Sequence, residues 1–163
     1  MNDGGTRLPK SERLKYVVSL RRSRADSGEG SGRYVGLEHI ESWTGRLASG
    51  ESGADSLAPN AEAGGESLSN AFAIGDVLFG KLRPYLAKAY LAEFDGRCTT
   101  ELLVMQPVHI EARFLRYVCL WREFVDAVDA STFGSKMPRA DWDFIGNMPV
   151  PVPEPCQQRA IAH

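Results

Sequence analysis

The stretch GDVLFGKLRPYLAKAYLAEFDGRCTTELLVMQP, residues 75–107, decides the fold. A Gly-Asp turn leads into the apolar run at 77–79, and a short continuous run of this kind is typical of a buried strand. Aromatic and branched residues dominate 85–94 and 98–104, which predicts two more strands. Asp95-Gly96 lies between these runs and is a strong signal for a tight hairpin turn. We therefore expect a strand-rich, antiparallel core.

The chain before this stretch holds one further strand signal and one long polar segment. Residues 34–40, YVGLEHI, combine aromatic and branched side chains between loops and predict a strand. Residues 14–20 form a shorter apolar run. Residues 48–70 contain almost no large apolar side chains and are dominated by Gly, Ser, Ala and Glu. That composition predicts a long flexible loop.

After residue 107 the hydrophobic period changes from that of a strand to that of a helix. One face of an amphipathic helix is indicated by apolar side chains spaced by 4, 3, 4 and 3 residues: Phe114, Val118, Trp121, Val125 and Val128. We expect this face to pack into the core, with Trp121 serving as a core residue and not as a binding platform. The helix should end before residue 131.

The end of the chain alternates proline with apolar residues and then opens a helix. Residues 148–153, MPVPVP, predict extended backbone of polyproline or edge-strand geometry. Pro155 suits the first position of a helix that has barely begun when the chain stops. We expect one domain over 1–153 and the start of a truncated helix over 154–163. The whole pattern predicts an α+β fold, in which a few helices pack on a twisted, mainly antiparallel sheet.

Composition and charge narrow the class of protein. The chain has 163 residues, of which 43% are hydrophobic and 25% charged, and no apolar run approaches a membrane span. It starts without an apolar signal region, so we expect a cytoplasmic protein that does not engage membranes. The net charge of −2 argues against an indiscriminate nucleic-acid binder. Basic residues are nevertheless clustered, with seven of them in residues 1–24, so one side of the protein can be positive.

The residues that usually carry catalysis form no constellation. The three cysteines and three histidines are scattered, and no pair has metal-ligand spacing. Asp76, Glu101 and Lys81 suggest a metal nuclease only weakly, because metal-ion hydrolysis needs converging carboxylates. Asp76 is better interpreted as part of a turn, and Glu101 as the partner of a structural hydrogen bond. We therefore expect no catalytic residue, no metal ion and no cofactor.

Three segments together resemble the recognition domain of type I restriction specificity subunits. The first is residues 75–107, and the second is residues 131–155, STFGSKMPRADWDFIGNMPVPVPEP. The third, residues 157–163, QQRAIAH, is similar to the start of the helix that follows each recognition domain in that family. Residues 34–40 also fit the family's first strand. The segments resemble the family in order and spacing over nearly the whole chain.

The resemblance implies a fold of the DNA-methylase specificity-domain type and a role in reading double-stranded DNA. A full subunit of that family carries two recognition domains, each of which reads half of a split site. Long spacer helices pair as a coiled coil and dock the methyltransferase subunits. Catalysis belongs to those subunits and to a restriction-translocase subunit. This chain has one such domain and ends at the stub of a spacer helix, so assembly would need a second recognition domain or self-association through a restored helix. Gln157 departs from the Glu that is usual there.

Residues 81–88 form the first segment with side chains suited to DNA. Lys81, Arg83 and Tyr85 alternate, so in extended chain they project from one face. Lysine and arginine suit phosphates or a guanine edge, and tyrosine can stack or hydrogen-bond. Lys88 continues the same basic segment. The alternative interpretation is a solvated strand face with Arg83 in a salt bridge.

The loop at 131–139 is the second such segment. It combines hydroxyl side chains, two cations and a glycine that lets the backbone approach phosphate closely. The residues expected to contact DNA there are Ser131, Thr132, Gly134, Ser135, Lys136 and Arg139. The alternative is a structural turn between a helix and a strand. For the whole chain, the alternative to a DNA reader is the recognition part of a single-chain methyltransferase-nuclease, or a stand-alone nuclease, which would need a cofactor site or a carboxylate cluster.

If the chain only reads DNA, it binds neither S-adenosylmethionine nor a divalent metal ion. Calorimetric titration with each ligand should then give no saturable heat. One-to-one binding of either ligand at low micromolar concentration would support the enzyme class instead.

Overall fold

The computed structural model of the protein describes residues 9–24, 33–49, 68–134 and 136–162. The strands are β1 (Lys10–Arg13), β2 (Val18–Leu20), β3 (Arg33–Val35), β4 (Ser69–Phe72), β5 (Val77–Gly80), β6 (Ala89–Leu91), β7 (Gly96–Thr99), β8 (Leu102–Pro107) and β9 (Pro149–Val152). The helices are α1 (Leu14–Val17), α2 (Ala112–Cys119), α3 (Arg122–Ala130), α4 (Trp142–Asn147) and α5 (Pro155–Ile161), with 3-10 turns at Leu37–His39 and Pro84–Leu86. No helix in the described part is long and apolar enough to cross a membrane.

Strand β5 is buried on both of its faces. Val77 and Phe79 belong to one hydrophobic cluster, whereas Leu78 between them belongs to another. Alternate side chains of a strand point to opposite faces, so a strand with a core on each side needs an uninterrupted apolar run. The buried strand predicted at 77–79 is therefore confirmed.

Helices cover one face of the four-stranded sheet, whose strand order is β2-β8-β5-β6. Phe114 and Val118 from α2, Phe124 from α3 and Ile145 from α4 are buried in the same cluster as Phe79. The rings of Phe79 and Phe124 meet edge-on with centroids 5.7 Å apart. The amphipathic faces of short helices thus pack on the strand that the sequence marks as the most apolar.

A second sheet of three strands, ordered β3-β7-β4, covers the other face. Val35, Phe72 and Cys98 from its strands pack in one cluster with Leu78 and Val104 of the larger sheet. Burial raises the pKa of the Cys98 thiol to about 12, so it remains protonated as a core side chain. The domain therefore has three layers, in the order helices, four-stranded sheet, three-stranded sheet.

The predicted fold class is confirmed, with one difference in how the strands are grouped. Within the described residues the strand pairs are antiparallel except β3 with β7, which is parallel. The strands form a four-stranded sheet, a three-stranded sheet and the two-stranded pair of β1 and β9, whereas one twisted sheet was expected. Period-2 patterns identify strands but not their partners, so this grouping was not readable from the sequence.

The predicted hairpin at Asp95-Gly96 is wrong. Strand β6 pairs with β5, and β7 pairs with β3 and β4, so the strands on either side of this dipeptide belong to different sheets. Gly96 begins β7 at a point where a Cβ would lie 2.4 Å from the Arg33 carbonyl oxygen and 2.7 Å from the Phe72 ring. The glycine is needed because β3 and β4 approach closely, not because a hairpin turns there.

Other predicted strands are shorter than their sequence patterns. Segment 34–40 completes β3 and then forms a 3-10 turn, because the His39 imidazole Nδ1 accepts a hydrogen bond from the Gly36 amide at 2.8 Å. Segment 85–94 begins in a 3-10 turn and contributes only β6, and 98–104 is divided between β7 and β8. Local hydrogen bonds of this kind compete with the sheet for the backbone.

The predicted helical face is divided between α2 and α3. Phe114, Val118 and Val125 are buried, as their spacing predicts. Trp121, expected in the core, lies at the break with extended backbone (φ −70°, ψ 131°) and is 39% exposed. The break lets α3 pack against the turn at Pro84–Leu86 as well as on the sheet.

The structure describes the first apolar run in full but only a small part of the long polar segment. Most of the predicted flexible loop at 48–70 lies outside the described residues. Its last two residues, Ser69 and Asn70, begin β4, so the predicted boundary is too late. The apolar run at 14–20 forms α1 and β2.

The predicted extended tail is strand β9, paired antiparallel with β1, and Pro155 is the first residue of α5 as predicted. Gln158 is 2% exposed and holds this helix in place. Its side-chain oxygen accepts from the Glu111 amide at 2.8 Å, and its side-chain nitrogen donates to the Pro153 carbonyl at 2.7 Å. One buried amide therefore joins α5 to the start of α2 and to the end of β9.

Gln158→Ala should lower the free energy of unfolding by about 1–3 kcal/mol, because it leaves partly buried backbone groups without a partner. Urea denaturation measures this loss. Gln157→Ala is the matched control, since Gln157 only caps the exposed start of α5 by accepting from the Glu154 amide at 3.2 Å. Equal losses in both variants would show that the buried bridge has no special role.

Candidate nucleic-acid interface

The two segments predicted to contact DNA are far apart in the sequence but adjacent in the structure. Leu82 and Arg139 form an antiparallel bridge, and the Arg83 amide donates to the Pro138 carbonyl at 2.8 Å. We call the described residues of both segments the paired-loop surface; they are 81–85, 131–134 and 136–139. Ser135, also a predicted contact, lies outside the described residues.

The backbone of the first segment is not an extended strand, so the condition for Lys81, Arg83 and Tyr85 to project from one face is not met. Arg83 has left-handed backbone (φ 52°, ψ 64°) and is followed by the 3-10 turn at Pro84–Leu86. A non-glycine residue in this region costs about 1–2 kcal/mol, which the bond from the Arg83 amide to the Pro138 carbonyl helps to offset. Strained positions of this kind cluster at functional sites. Arg83 and Tyr85 are both exposed, on a protruding turn instead of one face of a strand.

Helix α3 ends in a tight turn that presents an aromatic ring to solvent. The hydroxyls of Ser131 and Thr132 donate to carbonyl oxygens of the last turn of α3, at 2.6 and 2.7 Å. Because each hydroxyl has one proton, these side chains hold the turn and can only accept from a further partner. Phe133 follows with 98% of its surface exposed, and Gly134 has φ 87°, a conformation that favours glycine.

Arg139 is oriented by an ion pair with Glu101. The guanidinium Nε and Nη2 donate to the two carboxylate oxygens, each at 2.8 Å. These hydrogen bonds raise the pKa of Arg139, and the bidentate pairing leaves Nη1 pointing outside the pair. The prediction that Glu101 is the partner of a structural hydrogen bond is confirmed, although it lies in the turn between β7 and β8 and not within a strand.

The three lysines among the predicted contacts differ in their surroundings. Lys136 is exposed and Lys81 is half-buried. The Lys88 ammonium donates to the carbonyl oxygens of Leu37 and Ile40, at 2.7 and 2.8 Å. Partial burial lowers the pKa of Lys88. Lys88 therefore ties the 3-10 turn after β3 to the sheet, and its contact with DNA stays a prediction.

Sequence reasoning missed three exposed side chains near this surface. Phe133 was counted only as part of the turn. Arg22 and Arg24 line a cleft together with Lys81. The run Arg21-Arg22-Ser23-Arg24 is recognisable in the sequence as a basic segment. Nothing in the local sequence indicates that it lies next to Lys81 in the fold.

The side chains of the paired-loop surface are better suited to binding a ligand than to catalysis. They offer guanidinium forks, ammonium groups and an exposed ring, which match phosphates, base edges and base faces respectively. In the part of the chain that the structure describes, no cluster of three or more His, Cys, Asp or Glu residues is placed to hold a metal ion. Asp76 accepts from Arg21 Nε at 2.7 Å and from the Ala73 amide at 2.9 Å, and so belongs to a turn as predicted.

Solved structures share this fold over nearly the whole chain. The HsdS subunit from Thermoanaerobacter tengcongensis has a TM-score of 0.75 and 25% identity, over 99% of this chain and 43% of that chain. A structure described as showing complex assembly and conformational transition of the type I R-M system gives a TM-score of 0.76 at 24% identity, over 96% of this chain and 42% of that one. The type I S subunit from M. genitalium shares the fold at a TM-score of 0.62 and 13% identity, over 99% and 39%.

Sequence comparison agrees with the fold. The Type I restriction enzyme EcoDI specificity subunit of Escherichia coli is 32% identical over 130 residues, which are 78% of this chain and 27% of that protein. No protein-family model matches the chain. The chain is therefore similar, over most of its length, to one part of type I restriction-modification specificity subunits. It spans about a quarter of the length of the E. coli relative.

Glu101→Gln should strengthen binding to duplex DNA by a few-fold at low salt, because it removes a negative charge from the paired-loop surface and frees the fork of Arg139. Fluorescence anisotropy with a labelled mixed-sequence duplex measures the effect. The melting temperature should change little, since exposed ion pairs contribute little to stability. Glu123→Gln, an exposed change on α3, controls for net charge. Weaker binding by Glu101→Gln would mean that the ion pair holds Arg139 in the geometry that DNA requires.

Proposed function

We propose that this chain recognises one half of a split double-stranded DNA site and contributes no catalysis of its own. The main supporting observation is that the two segments predicted separately to contact DNA are joined through Leu82 and Arg139, in a chain similar to a specificity subunit. A backbone strained at Arg83 and a rigid turn ending at Phe133 support this proposal, because recognition needs side chains held in place before DNA arrives.

The recognition is proposed to serve a larger complex. A solved relative belongs to an assembled type I R-M system, which supports DNA, a methyltransferase subunit and a restriction-translocase subunit as partners. The chain matches 43% of the solved HsdS chain, which supports a single recognition domain as its counterpart. Helix α5 would be the start of the spacer helix, with Gln158 fixing its direction. A reader of cellular DNA acts in the cytoplasm, as the sequence predicts.

Two kinds of contact are expected within the paired-loop surface. Lys136 is an exposed ammonium and acts as a point charge on phosphate, which carries no sequence information. Arg83 presents a planar fork that matches the O6 and N7 acceptors of guanine. Arg139 has the same fork, but Glu101 occupies two of its nitrogens. Of the two arginines, Arg83 is therefore the better candidate for reading a base.

Lys136→Ala should weaken binding to all duplexes about equally, whereas Arg83→Ala should relax preference at one base position and cost about 1–3 kcal/mol on the preferred site. Duplexes selected from a randomised pool by the wild-type chain supply the target, and a scrambled duplex supplies the comparison. Fluorescence titration of each variant against both duplexes measures the two effects.

Two results would contradict this function. Failure of the wild-type chain to enrich any sequence, at low salt and with spacer helices restored, would remove sequence recognition. Wild-type affinity and preference in both variants would remove the paired-loop surface from it. Alanine at either position should leave the melting temperature nearly unchanged, since exposed substitutions usually change stability by less than about 0.5 kcal/mol.

A further inference from the structure

A cleft with four cationic side chains lies where the two sheets meet. It has a volume of about 250 Å³, and we call it the arginine cleft. The polar part of its lining consists of Arg21, Arg22, Arg24, Asn70, Lys81 and Thr100. The backbone of 21–24 forms one wall and joins the sheets, because the Arg21 amide donates to Val104 of β8 at 2.9 Å and the Ser23 carbonyl accepts from Ala71 of β4 at 2.9 Å. The cleft therefore belongs to the rigid part of the fold.

The positive charge of the cleft is mostly uncompensated. None of the described residues that line it is acidic. Arg21 is already paired with Asp76, at 2.7 and 3.3 Å. Arg22, Arg24 and Lys81 make no ion pair with any residue that the structure describes. Three cations thus line a small concave surface and have no acidic partner within the ranges that the structure describes.

The nearest acid along the chain is also neutralised. Glu101 follows Thr100 of the cleft wall, but its carboxylate is held bidentately by Arg139 at 2.8 Å. That ion pair places the Arg139 guanidinium directly against the Glu101 carboxylate, which partly offsets its negative charge. Among the described residues, cations therefore outnumber acids around the cleft, although the whole chain has a net charge of −2.

The cleft has a fixed position relative to the paired-loop surface. Lys81 belongs to both, and its backbone is bonded on each side, since its amide donates to the Glu101 carbonyl at 3.0 Å and its carbonyl accepts from Ala140 at 2.8 Å. Arginine forks bind phosphate bidentately, and a cleft of this size accepts a phosphate group but not a helix or a strand. A phosphate held there would set the register of the duplex on the neighbouring loops.

We propose that the arginine cleft binds a backbone phosphate of the DNA whose bases face the paired-loop surface, with Arg22, Arg24 and Lys81 as the binding side chains. The proposal rests on the function proposed above and adds a second, sequence-independent contact to it. Contacts to phosphate position a protein on a duplex, and contacts to base edges specify the sequence. The cleft would add a positioning contact beside loops that make contacts of both kinds.

The test uses the full chain with Arg22→Ala and Arg24→Ala combined. Binding to a fluorescent mixed-sequence duplex is titrated at several salt concentrations. Each phosphate contact contributes roughly 0.9 to the slope of log K against log salt, so the slope should become shallower by roughly one to two units. The sequence enriched from a randomised pool should stay that of the wild type. The matched control combines Arg46→Ala and Arg113→Ala, which removes the same charge from exposed arginines outside the cleft and should leave the slope unchanged.

The outcomes separate this proposal from the proposed function. An unchanged slope in the cleft variant, or an equal change in the control, overturns the arginine cleft while the DNA reader stands. A changed enriched sequence at normal melting temperature overturns the assignment to phosphate, because the arginines would then read bases. Absence of duplex binding by the wild-type chain at low salt overturns both. Inorganic phosphate is also tested as a competitor of the duplex. If it weakens binding no more than other salt at the same ionic strength, the cleft binds phosphate only as part of DNA, as proposed.

Discussion

The structure depends on burying strand β5 on both faces. Val77 and Phe79 must meet helices while Leu78 meets the second sheet, and a strand buried in this way must lie at the centre of three layers. That single requirement sets what packs on each side: α2, α3 and α4 on one, and β3, β7 and β4 on the other. The segment at 81–85, which is predicted to contact DNA, begins directly after β5. The buried strand therefore anchors the start of this segment.

Two acidic side chains near the predicted DNA-contacting residues each form an ion pair with an arginine, and other cations nearby are available to bind an anion. Arg21 binds Asp76 inside the turn before β5, and Arg139 binds Glu101 at the edge of the paired-loop surface. Among the described residues that line the cleft, Arg22 and its neighbours have no carboxylate. A chain with a net charge of −2 can in this way present a positive surface to an anionic partner.

The candidate site was predictable in its parts and not in its assembly. The residue types at 81–85 and 131–139 are suited to DNA because guanidinium, ammonium and hydroxyl groups bind phosphates and base edges. Their meeting through the bridge of Leu82 and Arg139 depends on a long-range pairing that no local pattern encodes. The ion pair of Arg139 with Glu101 also depends on long-range packing. So do the hydrogen bonds that the Lys88 ammonium donates to backbone carbonyls.

The sequence by itself determined the α+β class, the buried strand at 77–79, the turn at Asp76 and the proline-led start of α5, because each follows from side-chain period or from the geometry of single residues. Only the tertiary structure decided which strands share a sheet. Gly96 looked like a hairpin residue, yet it is required by the close approach of two neighbouring strands. The physical reason is that local propensity fixes what a segment can form, whereas pairing and packing are chosen by the whole chain as it buries its apolar surface.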